Sequence, residues 1–110
     1  MIRESRREDA WTDVEPVGDS ALAHARQAGR ALAAGTPPGP LHGVPITVKD
    51  CIDAAGLVTT GATMGYARRV AQDDAVAVAR LKAAGAILPG SANLPETAMA
   101  CETDNPLLGC

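Results

Sequence analysis

The sequence predicts an α/β fold, and three stretches indicate it. Residues 46–48, Ile-Thr-Val, are all β-branched and favour a strand, and the apolar residues 86–89, Ala-Ile-Leu-Pro, predict a second, buried strand. Between them, the alanine- and valine-rich residues 75–84 predict a helix. A strand, a long connection with a helix and a second strand form a βαβ-like crossover, so we expect parallel pairing. The predicted architecture is part of a mixed sheet flanked by helices.

Local signals predict the N-terminal elements. Residues 1–9 are charged and are expected to be disordered, and residues 10–14 are a candidate short strand. A first helix is predicted over residues 21–34, with Asp19 or Ser20 as its cap and Gly35 as its stop.

The same signals predict the elements after the first strand. Residues 51–72 are rich in glycine and threonine and predict a long irregular connection, after which Asp73 or Asp74 can cap the crossover helix. Gly85 is its expected stop. Asn93 and Glu96 have capping-box spacing, which predicts a third helix near residues 94–101.

Composition and charge exclude several classes of protein. The formal net charge is −3 and the only basic block is residues 3–7, so a nucleic-acid partner is not expected. No apolar run approaches the roughly 20 residues that cross a bilayer, and the start lacks a signal-peptide apolar segment. The 3 cysteines have no CxxC spacing, so reduced thiols in a cytoplasmic protein are expected. With no phenylalanine, 1 Trp and 1 Tyr, the core should be thin.

The stretch GPLHGVPITVKD, residues 39–50, places Lys49 at the end of the first predicted strand, directly before Asp50. Burying a lysine is costly unless the amine is paired, neutral or functional. Composition alone favours an exposed lysine that pairs with Asp50. The chain's other lysine, Lys82, lies within the crossover helix and is expected to be solvated and not catalytic.

The wider motif changes the interpretation of Lys49. GPLHGVPITVKDCIDAAGLVTTGA, followed by DDAVAVARLKAAGAILPGSANLPETAM, resembles the amidase signature family of amide hydrolases. Gly43, Pro45, Lys49 and Asp50 match the lysine motif of that family in type and spacing. The likeness extends from about Ala10 to Gly109, and implies that residues 1–110 are the N-terminal portion of an amidase domain with a partial amidase-signature fold.

The resemblance implies a reaction and a role for Lys49. The family uses a nucleophilic serine, a second serine and a lysine, and Lys49 matches the lysine. A serine hydroxyl becomes a good nucleophile when a base removes its proton, so the lysine must be neutral, which burial would favour. The implied activity is hydrolysis of carbon–nitrogen amide bonds, other than peptide bonds, in a small-molecule substrate, with no cofactor.

Both family serines lie in a Gly-Gly-Ser-Ser-Gly loop that these 110 residues do not contain. Residues 102–109, ETDNPLLG, resemble the segment that leads into that loop. We therefore expect the chain alone to be inactive. The alternative is a non-catalytic truncated or frameshifted remnant, at most a small binding module.

Other candidate residues have weaker support. The strip Met99, Ala100 and Cys101 borders the substrate pocket in relatives, so it is a candidate pocket wall, and a role in the core is equally consistent with the sequence. Cys101 is the only other candidate nucleophile, but with no base assigned, a buried thiol is the preferred interpretation.

No metal site is expected. The candidate ligands His42, Asp50, Cys51 and Asp53 have a spacing that fits neither a zinc site nor a calcium loop. Asp50 is instead expected to orient backbone amides of the following loop, and His42, which lies in a turn, is expected to be structural.

Overall fold

A computed structural model describes residues 18–109 and confirms the α/β class. Its regular elements are helix α1 (Gly18–Ala33), strand β1 (Pro45–Lys49), helix α2 (Val76–Ala83) and strand β2 (Ile87–Ala92). β1 and β2 pair in parallel, with α2 in the connection between them, as the crossover prediction required. The predicted strand at residues 10–14 and the predicted disorder of residues 1–9 lie outside the described residues.

The register of the sheet brings the two carboxyl ends together. Val48 lies opposite Ser91 and Lys49 lies opposite Ala92, so both strands end at the same edge. The pairing is irregular near the start of β1, at the level of Pro89 in β2. Proline has no backbone N–H to give to a ladder, which accounts for an irregularity at this position. β2 extends beyond the predicted residues 86–89 as far as Ala92.

The core lies between the sheet and α2 and is small, as the composition predicted. Its buried members are Val48, Ala54, Val78 and Leu88, and the side chains packed against them are Ile46, Ile52, Leu57 and Ala75. Tyr66, the only tyrosine, is 58% exposed and adds nothing to this cluster. Aliphatic side chains therefore form this cluster without any aromatic ring.

The helix stops were predicted correctly, and the predicted caps were not. Gly35 (φ +81°) and Gly85 (φ +99°) follow α1 and α2 in the left-handed conformation that glycine adopts without strain. α1 begins at Gly18, so Asp19 and Ser20 lie within its first turn and not at its cap. α2 begins after Ala75, with no side-chain cap.

The predicted third helix is wrong. Only a single 3₁₀ turn forms, at Glu96–Ala98, and Thr97 and Ala98 have φ angles of +53° and +60°. The Asn93 side chain is used elsewhere: its oxygen accepts hydrogen bonds from the Leu94 N–H (2.9 Å) and from the Asn105 amide (2.6 Å). Because Asn93 binds the C-terminal segment, it cannot complete a capping box with Glu96.

The turn before β1 packs closely on the end of α2. The Leu41 N–H donates to the Ala84 carbonyl (2.9 Å) and the Gly43 N–H donates to the Gly85 carbonyl (3.0 Å). A Cβ atom added at Gly85 would lie 2.8 Å from the His42 Cα. His42 Nε2 also donates to the Ala28 carbonyl of α1 at 3.0 Å, which supports the structural role expected for His42.

Candidate functional site

Lys49 is the last residue of β1, at the edge of the sheet where both strands end. Its side chain is exposed, so residues 18–109 do not by themselves provide the burial that would favour a neutral amine. The sheet of the described residues has only two strands, and no element of residues 18–109 covers the strand end sufficiently to exclude water from the amine. The catalytic role of Lys49 stays a prediction.

Asp50 does not pair with Lys49. Asp50 is 5% exposed, and its carboxylate accepts hydrogen bonds from the Thr60 N–H (2.9 Å) and from the Thr60 hydroxyl. Its carbonyl accepts the Gly61 N–H at 2.8 Å, and its own N–H donates to the Ala92 carbonyl at 3.0 Å. Asp50 therefore orients backbone amides of the following loop, as predicted.

These hydrogen bonds continue beyond the loop. The Thr60 hydroxyl oxygen accepts the Ala62 N–H at 2.9 Å, and the Gly61 carbonyl accepts the Thr97 N–H at 2.8 Å. We call Asp50, Thr60, Gly61, Ala62 and Thr97 the strand-end network. Ala62 and Thr97 have φ angles of +59° and +53°. That conformation costs a non-glycine residue about 1–2 kcal/mol and persists where the surroundings enforce it.

The strip Met99, Ala100 and Cys101 follows directly after the 3₁₀ turn that contains Thr97. All three residues are exposed, with Met99 at 85%, so the alternative role in the core is wrong. Cys101 is a free, exposed thiol, which contradicts the expected buried thiol. A substrate-facing role for the strip stays a prediction.

An open groove of about 700 Å³ lies along the loop that follows Lys49. Its lining includes Cys51, Asp53, Thr60, Tyr66 and Arg69. Asp53 and Arg69 form a two-point ion pair in it, at 2.6 and 2.7 Å. No local sequence signal identifies this pair, because its partners lie 16 residues apart in an irregular segment.

Lys82 is paired and not simply solvated, which corrects the expectation for the second lysine. Its amine lies 2.7 Å from Asp74 Oδ1, which also accepts the Ala55 N–H at 2.8 Å. The bonds from Lys82 and Ala55 together engage both carboxylate oxygens of Asp74, and Asp74 does not cap α2. Asp74 instead ties α2 to the loop after β1.

Stability should fall in acid because of these two carboxylates. The hydrogen bond from Arg69 holds the pKa of Asp53 below its ordinary value of 3.8, and the hydrogen bonds from Lys82 and from the Ala55 N–H do the same for Asp74. A depressed folded-state pKa gives stability above the unfolded-state pKa, so this contribution is lost as the pH falls below about 4. Both pairs are partly exposed, so the effect should be modest.

Thermal unfolding of the 110-residue chain between about pH 6 and pH 2.5 measures this effect. Asp53→Asn and Asp74→Asn should lower the midpoint at neutral pH and flatten its fall in acid. Asp73→Asn, in the same loop, is the control, since the ion pairs within residues 18–109 are Arg69–Asp53 and Lys82–Asp74. If the unfolding midpoint of both test variants falls in acid as steeply as that of the unchanged chain, these two carboxylates are not the source of the acid sensitivity.

The candidate metal ligands are not brought together. Among residues 18–109, no group of three or more His, Cys, Asp or Glu side chains is placed to hold a metal ion. His42 bonds to Ala28, Asp50 to Thr60 and Asp53 to Arg69. Within the same residues, no helix combines the length and apolar character needed to span a bilayer.

Comparisons with known proteins agree with the motif. The Amidase family model matches residues 4–110. Amidase 2 of Gibberella moniliformis is 48% identical over 71 residues, which are 64% of this chain and 14% of that protein. The acylamidase of Rhodococcus erythropolis is 42% identical over 85 residues, which are 77% of this chain and 18% of that protein.

A solved structure extends the likeness to the fold. The native peptide amidase of Stenotrophomonas maltophilia superposes with a TM-score of 0.66 at 37% identity, over 76% of this chain and 16% of that one. The chain thus spans less than a fifth of the length of each of these three proteins. The family model covers almost the whole sequence, and the fold agrees with it. The chain belongs to the amidase family.

Proposed function

We propose that residues 1–110 are the N-terminal portion of an amidase domain and that Lys49 is its catalytic lysine. One observation carries the assignment: Lys49 is an exposed amine at the carboxyl end of a parallel strand, next to a buried carboxylate that is hydrogen-bonded to the following loop. In α/β sheets, ligands collect at the carboxyl ends of the strands. A fixed strand end that presents an amine there suits a proton-transfer role.

The reaction proposed for the complete enzyme is hydrolysis of an amide bond in a small-molecule substrate. The nucleophilic serine attacks the amide carbonyl and gives its hydroxyl proton to the second serine, which lies between it and Lys49. The second serine passes a proton on to the neutral amine of Lys49. The resulting lysine ammonium returns a proton to the departing amine, which leaves an acyl ester on the serine. Water then hydrolyses the ester to release the acid. No cofactor enters this scheme.

Residues elsewhere in the complete enzyme must supply the two serines and must shield Lys49 from water. The exposed amine in this chain is consistent with that division of roles. We also propose a cytoplasmic location, supported by the free thiols of Cys51 and Cys101, which suit a reducing compartment. The alternative function is a non-catalytic remnant, at most a small binding module.

The 110-residue chain alone should release no amine above background from a panel of aryl and aliphatic amides. The reason is that Lys49 has no serine hydroxyl to activate, and a base without its nucleophile contributes little. Ammonia or amine release, followed with Lys49→Ala as the matched blank, measures this. Turnover that Cys101→Ala abolishes would contradict the scheme and identify the exposed thiol as a nucleophile.

The function itself is tested in a chimera. Residues 41–109 replace the matching segment of the Stenotrophomonas maltophilia peptide amidase, which supplies the rest of an amidase. The chimera should hydrolyse the host's own amide substrate, and activity should depend on Lys49. An inactive but folded chimera would favour the non-catalytic alternative.

A further inference from the structure

We infer that Thr60 is a positioning residue: it fixes the strand end that carries Lys49 relative to the turn that leads into Met99, Ala100 and Cys101. The inference deepens the proposed function and rests on it where activity is concerned. The underlying coupling between the two segments rests on the strand-end network alone.

Thr60 is the side chain that satisfies the Asp50 carboxylate. Asp50 is 5% exposed, and one of its carboxylate oxygens accepts the Thr60 N–H while the other accepts the Thr60 hydroxyl. A buried carboxylate is costly unless its oxygens are hydrogen-bonded. Asp50 directly follows Lys49, so Thr60 fixes the backbone at the point where the lysine side chain leaves the sheet.

The Thr60 hydroxyl has a second role that valine cannot reproduce. While its proton goes to Asp50, its oxygen accepts the Ala62 N–H at 2.9 Å. Ala62 is completely buried and has a φ of +59°, a conformation that needs such enforcement. One hydroxyl group therefore holds both the strand end and the turn after it.

The turn passes this constraint to the segment before Met99. Gly61 donates its N–H to the Asp50 carbonyl and accepts the Thr97 N–H on its own carbonyl, at 2.8 Å each. Thr97 and Ala98 both have positive φ angles, and Met99 follows them immediately. The position of the exposed strip relative to Lys49 is thus set through two residues, Thr60 and Gly61.

The chain offers a matched control in the neighbouring threonine. Thr59 is buried, like Thr60, and its N–H donates to the Arg69 carbonyl at 2.8 Å. Its side chain contributes to the lowered pKa of Asp53 in the groove ion pair, whereas the Asp50 carboxylate is bonded by Thr60. Thr59→Val removes a buried hydroxyl of the same loop and leaves the strand-end network intact.

The coupling is tested by amide hydrogen exchange on the complete 110-residue chain. Thr60→Val should speed exchange of the Gly61 and Thr97 amides by about tenfold or more relative to the Ala79 amide of α2, which donates to the Ala75 carbonyl at 2.9 Å and reports general opening. Thr59→Val should leave this ratio of exchange rates as it is in the unchanged chain. Thr60→Ser, which keeps the hydroxyl, should have the same ratio as the unchanged chain. Equal ratios in Thr60→Val and Thr59→Val would overturn the coupling.

The positioning role is tested in the chimera. Thr60→Val should lower kcat by about 10–100-fold with little change in KM, because a displaced catalytic group slows the chemical step. Thr59→Val should keep kcat, and Thr60→Ser should recover most of it. Equal losses of kcat in the two valine variants would overturn the positioning role. An inactive wild-type chimera would count against the proposed function, while the exchange result still decides the coupling.

Discussion

Replacing Lys49 with alanine should lower kcat/KM of the chimera by about 10³-fold or more. The proposed scheme needs a neutral amine to take the serine proton and to return a proton to the leaving amine, and alanine can do neither. Because nucleophile and base act as a unit, losing the base removes most of the benefit of the nucleophile. Initial rates over a range of substrate concentrations measure the effect.

Lys82 supplies the control for this result, since it is the only other lysine of the chain. Its amine, on α2, pairs with Asp74 of the preceding loop and takes no part in the scheme. Lys82→Ala should keep kcat/KM within about threefold, because a partly exposed ion pair contributes little to stability. Comparable losses in the two variants would mean that the chimera is sensitive to either charge, and the assignment of Lys49 would fail.

Gly85→Ala should lower the free energy of unfolding by about 3 kcal/mol. Two costs combine at this position. Alanine is strained at a φ of +99°, and its Cβ would lie 2.8 Å from the His42 Cα. The neighbour is backbone of the turn before β1, so it cannot rotate away. Urea unfolding followed by circular dichroism measures the loss.

Gly35→Ala separates the two costs. Gly35 has a similar φ of +81°, but an added Cβ there would have no atom within 4 Å. Gly35→Ala should therefore lower the free energy of unfolding by only about 1–2 kcal/mol, the cost of placing alanine in the left-handed conformation. Equal losses at Gly35 and Gly85 would show that the turn moves away freely, and that the close packing of residues 39–43 on α2 is not a constraint.

Short-range patterns predicted the elements that depend on short-range causes. β-branched residues 46–48 lie in β1, residues 87–89 of the predicted stretch 86–89 lie in β2, and Gly35 and Gly85 end the two helices. The Lys49 motif was likewise visible, because its residues lie within one strand and its preceding turn. Asp50 was correctly expected to bind the loop that follows it.

Two of the wrong predictions have the same physical reason: a distant partner competes for the side chain. Asp74 bonds to Ala55, 19 residues away, instead of capping α2. Asn93 bonds to Asn105, 12 residues away, instead of opening a helix. Spacing within one segment cannot reveal such partners.

The environment of Lys49 is a separate case. The motif predicts the function of an amine, but its burial depends on what packs on the strand end, and in residues 18–109 the side chain stays exposed. Thr60 lies within the quoted motif but was given no role there, because its importance comes from its bonds to Asp50, 10 residues earlier. Only the folded loop identifies it.

Chemical rescue of the Lys49→Ala chimera tests most directly the claim that Lys49 acts as a base. Small primary alkylamines added to the assay should restore hydrolysis, with a rate that rises with the concentration of neutral amine and with the basicity of the amine, as general base catalysis requires. Tetramethylammonium, which carries the charge but cannot accept a proton, should restore nothing. Rescue by both compounds would mean that Lys49 supplies charge and not a proton acceptor. Full activity of the unrescued variant would contradict the account outright.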